Sequence, residues 1–270
     1  MPTLVAVAHG SRDPRALQTV TALLERIREL RPALTVRLGH IELNEPLLDD
    51  TLATLGVRGA PDAPRTPTAP ATLTPPAAAA ATAPDAVLVP VLLGRGHHVA
   101  HDLPRAAADA AATTGLRAAV AAPLGPHPLL VEALCDRLLE TGWAPGDGAA
   151  VVLAAAGSRD PHSAADARST ARMLSERLGG IPVLPGYASA AAPTVPEAVR
   201  ALAARGRHRI AVASYFTAPG RFAAQCAAAA PGPAAAPLGD HPALARLLLH
   251  RYDEALARPY ASARREPVPA

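Results

Sequence analysis

The sequence predicts an α/β protein of two tandem, related domains, each a mostly parallel sheet flanked by helices, with the ligand cleft between them. Three observations lead there. "VAVAHGSRDP" at Val5–Pro14 returns as "VLAAAGSRDP" at Val152–Pro161, and a repeated stretch marks a repeated structural unit. Apolar strand-like runs alternate with helical periodicity, the pattern of a parallel sheet covered on both faces. The 270 residues, 50% of them apolar, suffice for two compact cores.

Taken in order, "TLVAVAH" is a buried apolar strand, and Asp13 followed by Pro14 is an N-cap and first-turn pair. Leu17, Val20, Leu24 and Ile27 recur at helical spacing and mark that helix's core face. "LTVRLGHIEL", ending at Leu43, reads as one continuous strand, so His40 and Glu42 fall on the same side. "AVLVPVLL" from Ala86 is a third strand, and "DLPRAAADAAATT" opens a helix after Asp102. The second half reads likewise: strand and helix, four times over. Its end, "PLGDHPAL" at Pro237, matches "PLGPHPLL" at Pro123, which makes His127 and His241 structural turn or cap residues.

The shared motif aligns the halves at an offset of 147, which falls to 124 once Gly96 meets Gly220; the first half has therefore gained about 23 residues. The surplus lies in the Pro/Ala/Thr tract Arg58–Pro84, expected to be a flexible surface insertion because it cannot pack a core. The domains are expected at 1–145 and 149–258, with a tail at 259–270.

Composition narrows the function. The net charge is +3 and every cationic side chain other than histidine is arginine, suited to gripping carboxylates in two places. With 3% aromatic residues and no basic block among them, nucleic acid is not the expected partner. Cys135 and Cys226 lie far apart, outside any C-x-x-C pattern, and read as buried thiols. There is no basic leader before the first apolar run and no apolar stretch long enough for a bilayer, so a cytoplasmic protein with no membrane partner is expected.

The second copy serves as an internal control. Gly-Ser-Arg-Asp-Pro is retained in both halves and serves the fold, whereas Ala156 replaces His9, Ser189 replaces Glu42 and Phe222 replaces His98. Three polar groups lost as a set worked as a set. His9, Glu42 and the Gly96–His98 segment fall at or just past strand carboxyl ends, where such sheets bind ligands. Two imidazoles and a carboxylate in one crevice suit Fe²⁺, Co²⁺ or Ni²⁺.

Three stretches carry a family resemblance: "AHGSRDP" at Ala8–Pro14, "IELNEPLLDDTL" at Ile41–Leu52 and "GHHVAHDLP" at Gly96–Pro104. With them the chain resembles the sirohydrochlorin chelatases, class II chelatases that insert a metal, in a tandem form of two chelatase-like domains. The last stretch matches that family's G-x-H-V-x-x-D-[IL]-P and selects His98 over His97 and His101. The resemblance implies that His9, Glu42 and His98 bind the incoming metal and carry the catalysis. It further implies sirohydrochlorin as the small-molecule partner, Fe²⁺ or Co²⁺ as substrate and no tightly bound cofactor. Single-unit members pair two chains, so this chain reads as a fused pseudo-dimer that works as a monomer.

Metal entry displaces two pyrrole protons, which a neutral imidazole is suited to receive. A polycarboxylate substrate makes Ser11, Arg12 and Arg95, near helix N-termini, candidate anion contacts, although the second half keeps Arg12's equivalent as Arg159. His40 reads either as a partner of Glu42 or as a buried structural histidine, and His97 and His101 as solvated loop residues. Two alternatives belong to other classes. One is a tetrapyrrole or metal carrier without turnover. The other is a serine hydrolase, prompted by His-Gly-Ser, but the chain has no G-x-S-x-G elbow and Ser11 recurs as Ser158.

Overall fold

The computed structural model describes residues 1–58 and 83–258; nearly all of the expected insertion and the 259–270 tail lie outside the described residues. The first half runs β1 (Thr3–Ala8), α1 (Pro14–Leu30), β2 (Val36–His40), α2 (Leu48–Arg58), β3 (Ala86–Pro90), a single π turn (His98–Asp102), α3 (Leu103–Thr114), β4 (Ala118–Val120) and α4 (Pro128–Leu139). The second half runs β5 (Ala149–Ala155), α5 (Pro161–Arg177), β6 (Val183–Tyr187), α6 (Val195–Ala203), β7 (Arg209–Ser214), α7 (Arg221–Ala228) and α8 (Pro242–Ala257). The sheets have orders β2-β1-β3-β4 and β6-β5-β7, and every strand pair is parallel.

The repeat signals correspond to matching local structure. Asp13 accepts from Arg15 N at 3.0 Å and Asp160 from His162 N at 2.8 Å, each followed by proline in the first helical turn. His127 Nδ1 accepts from Leu129 N at 3.1 Å and His241 Nδ1 from Ala243 N at 3.2 Å, so both histidines cap helices as expected. Both cysteines are buried, and burial pushes the Cys226 thiol up to about 11.

Other expectations are corrected. The fourth strand of the second half is reduced to one bridge, Val212 with Ala234, because "PGPAAAP" offers prolines where a ladder needs donors. β2 stops at His40 and the chain bends through Ile41–Pro46, so strand alternation does not set Glu42's direction. Leu17 is 38% exposed rather than core; α1 buries Ala16, Val20, Leu23, Leu24 and Ile27 instead.

The halves are not independently finished layers. One face of each sheet, Val5, Val7 and Leu88 or Val152, Ala154 and Val212, packs with helices of its own half. The other faces, including Leu4, Val87, Leu153 and Ala213, belong to one continuous core. The final helices are exchanged across it: α8 lies on β3 and β4 beside α1, whereas α4 lies against β7 and α5. Tyr252 of α8 donates to the Pro2 carbonyl at 2.6 Å, and Arg31 grips Asp253 through two bonds of 2.7 and 2.8 Å.

Candidate functional site

The backbone that carries the site is built twice. Beyond β1, Gly10 has φ +98°, and a Cβ there would stand 1.8 Å from the Glu42 carbonyl oxygen; Gly157 repeats this at φ +87° and 1.9 Å from Ser189 O. Only glycine lets these segments cross so closely. Glu42 N donates to His9 O at 3.1 Å, and Ser189 N to Ala156 O at 3.0 Å. Leu43 and Ala190, equivalent residues, both take left-handed backbone at φ 70° and 56°. One scaffold therefore presents His9 and Glu42 in one half, and Ala156 and Ser189 in the other.

On this scaffold His9 Nε2 lies 3.4 Å from Glu42 Oε1. The His9 and His98 rings meet edge to face with centroids 4.8 Å apart. His98 comes from the π turn, and its Nδ1 is 2.6 Å from Asp102 Oδ2. Donation of that Nδ1 proton to the carboxylate fixes the tautomer and leaves Nε2 with a lone pair. The side chains of His9, Glu42 and His98 are 45%, 52% and 35% exposed, so solutes reach all three. Among the described residues no three His, Cys, Asp or Glu side chains form a ready-made metal cage.

The crevice of the sequence reading is divided. A cleft of about 1000 Å³ between the halves is lined by His9 together with Leu17, Val20, Leu43, Phe216 and Phe222. Glu42 and His98 line a smaller cavity of about 390 Å³ with Asp49, Asp102, Arg105 and Asp109. His40 borders both cavities. The His9–Glu42–His98 group is thus the partition between a large, mainly apolar space and a small polar one.

The remaining expected residues separate. Arg12 lines the large cleft, where Arg15 and Arg221 join it. Arg15 is paired with Asp13, whereas among the described residues neither Arg12 nor Arg221 has a carboxylate partner; Arg221 lies over the Phe222 ring at 4.9 Å. Ser11 also lines the large cleft; its Oγ accepts from Asp13 N at 3.1 Å, as Ser158 does from Asp160 N, and keeps its own proton to donate. Arg95 is turned away from an anion role: its Nε and Nη2 grip Asp166 of the second half at 3.0 and 2.6 Å. α3 starts at Leu103, directly after Asp102 as expected, but the π turn from His98 runs into it and Leu103 N already donates to the His98 carbonyl. His40 is buried, with Nδ1 3.2 Å from the Pro46 carbonyl, and burial lowers its pKa; it anchors the loop. His97 and His101 are exposed. The sequence reading missed Asp102, although its position four residues after His98 on a helical turn was a usable signal.

Comparisons with known proteins give the chain's family and fold. A family model described as CbiX matches residues 3–141 and 150–255. The chain is 26% identical over 195 residues to the sirohydrochlorin ferrochelatase of Bacillus subtilis (strain 168), covering 72% of this chain and 66% of that one. It is 28% identical over 105 residues to the sirohydrochlorin cobaltochelatase of Methanococcus aeolicus, covering 39% and 57%. The chain thus spans less than two thirds of the length of these curated relatives. Among solved structures, SirB from Bacillus subtilis with Fe³⁺ has the same fold, with a TM-score of 0.73 at 22% identity over 95% of this chain and 96% of that one.

Proposed function

The chain belongs to the CbiX family, and from that membership we propose that it is a lyase-type chelatase inserting a divalent metal, Fe²⁺ in the first instance, into sirohydrochlorin. The observation that carries this reading is the contact of His9, His98 and Glu42 at the edge of a cleft of about 1000 Å³. That volume is at the top of the roughly 300–1,000 Å³ range of small-molecule sites, as a tetrapyrrole requires. The flat macrocycle lies against Leu17, Leu43, Phe216 and Phe222, and Arg12 and Arg221 meet its carboxylates.

The metal is a substrate, and an open group of ligands suits it better than a closed cage, because an ion held too firmly would not be released into the ring. His98 offers Nε2 while Asp102 holds its Nδ1 proton. His9 stands between that ring and Glu42, so a proton taken by His9 from a pyrrole nitrogen has a carboxylate 3.4 Å away to receive it. The cobalt reading rests on the same ligand chemistry and on the cobaltochelatase relative.

The second half, without ligands of its own, forms the opposite wall of the cleft. On this reading one chain works as a monomer in the cytoplasm, with the two halves, 1–145 and 149–258, joined through their exchanged last helices rather than standing as separate domains. Among the described residues no helix is long and apolar enough to cross a membrane. Anaerobic incubation of the protein with sirohydrochlorin and each of Fe²⁺, Co²⁺ and Ni²⁺, followed by absorbance, tests the proposal. Metallation above the spontaneous rate supports it and ranks the metals; tight binding without turnover identifies a carrier instead.

A further inference from the structure

The segment between β3 and the π turn, Val91–His97, delivers His98 to its place, and the other half of the molecule holds it there. Arg95 binds Asp166 through its backbone N at 3.2 Å, Nε at 3.0 Å and Nη2 at 2.6 Å. Asp166 lies on α5 with its side chain only 3% exposed, whereas that of Arg95 is 51% exposed. Two residues upstream, the Leu93 carbonyl accepts from Gly125 N at 3.0 Å and from the buried Tyr215 hydroxyl at 3.2 Å. Thr170 Oγ1 lies 3.3 Å from Tyr215 Oη and 3.0 Å from the Asp166 carbonyl, and its single proton serves one of these two acceptors at a time. Asp166, Thr170 and Tyr215 are therefore one connected polar group of the second half, turned onto a loop of the first.

This group has no mirror image. The equivalents of Asp166, Thr170 and Tyr215 in the first half are Thr19, Leu23 and Val91, and the equivalent of Arg95 is Pro219. Leu23 and Val91 are apolar members of the shared core. In the corresponding loop of the second half, which leads to Phe222, the backbone bonds Leu238 N to Phe216 O and Gly239 N to Thr217 O are the counterparts of Leu124 N to Leu92 O and Gly125 N to Leu93 O. A buried carboxylate costs several kcal/mol unless it is well paired. The mirrored position of Asp166 holds the uncharged Thr19, beside apolar Leu23 and Val91, so the repeated fold does not require a carboxylate there.

We infer that Asp166 is a positioning residue for the proposed metal exchange: through Arg95, and with Tyr215 fixing Leu93, it sets the distance of His98 from His9. The inference rests on the proposed role of His98. The half that lost its ligands has thus acquired a clamp for the half that kept them. Fusion permits this, because unequal halves can specialise.

Three single variants, Asp166→Asn, Arg95→Lys and Tyr215→Phe, and the Asp166→Asn/Arg95→Lys double variant test it in the whole protein, read by turnover kinetics, Co²⁺ binding and hydrogen exchange. Arg95→Lys keeps the charge and loses the fork, which guards against misfolding on loss of the buried pair. The expected result is a 10- to 100-fold lower kcat and weaker Co²⁺ binding in the absence of tetrapyrrole, with KM for sirohydrochlorin within about twofold. The double variant should match its singles. Hydrogen exchange of residues 91–98 should accelerate in each variant, a readout independent of turnover. Folded variants with unchanged exchange and Co²⁺ affinity overturn the inference. So does a rise in KM confined to Arg95→Lys, which would return Arg95 to substrate binding. Wild-type protein that neither binds Co²⁺ nor turns over would instead defeat the functional proposal, while the exchange measurement still decides whether the clamp exists.

Discussion

His98 Nδ1 lies 2.6 Å from Asp102 Oδ2, four residues on along the π turn, whereas the equivalent pair in the second half is Phe222 and Cys226. The imidazole and its carboxylate were thus lost together. Asp102→Ala should lower turnover and Co²⁺ affinity by about 10- to 100-fold, because a ligating imidazole released from its carboxylate loses both orientation and basicity. Thermal melting should change little, as Cys226 at the mirrored position accompanies an intact helix. Unchanged metal affinity would remove Asp102 from the site.

His9→Ala and His98→Ala should each reduce metal insertion by at least about 100-fold, the lower range for loss of a positioned acid–base group. Stability should stay within about 1 kcal/mol, since these are partly exposed side chains on a backbone that also accepts Ala156 and Phe222. Initial rates with and without the variants, beside melting curves, check both statements.

A fragment ending at Gly148 should fail as a free-standing domain. It loses α8, whose Leu244, Leu247, Leu248 and Tyr252 are fully buried in the shared core. At about 1.5–3 kcal/mol for each large apolar side chain, their loss is comparable with a whole domain's stability of about 5–15 kcal/mol. Light scattering should find the fragment aggregated or self-associated, with poor sirohydrochlorin binding. A monomeric fragment of full activity would contradict the helix exchange.

His127 should give stability a pH dependence below neutrality. Its burial, the nearby Arg251 and then His250 lower its pKa, with Glu254 opposing them, and its Nδ1 must stay unprotonated to cap α4. The unfolded chain therefore takes up a proton first as pH falls below about 6.5, and stability present above that pH is lost down to the depressed folded value. For one site the slope is at most about 1.4 kcal/mol per pH unit. Urea melts at pH 7.5 and 5.5 should show the loss, and His127→Asn, which caps without titrating, should flatten it. An unchanged pH difference in that variant would assign the effect elsewhere, with buried His40 the next candidate.

By itself the sequence determined what depends on neighbouring residues and on comparing its two halves. Asp13–Pro14, Asp160–Pro161, His127 and His241 announce their caps because a cap is made within a few residues. His9, Glu42 and His98 stand out because the second copy keeps their scaffold and drops their side chains. Only the tertiary structure decided which sheet each final helix covers, since α4 and α8 carry apolar faces that local periodicity cannot assign to one half or the other. It decided too that β2 ends at His40, where the loop through Leu43 turns Glu42 toward His9, and that the three residues divide two cavities. Arg95 is the sharpest case: its charge and its place beside a ligand loop were readable, but its partner is 71 residues away. Pairing over such a distance is fixed by packing of the shared core, which no local pattern encodes.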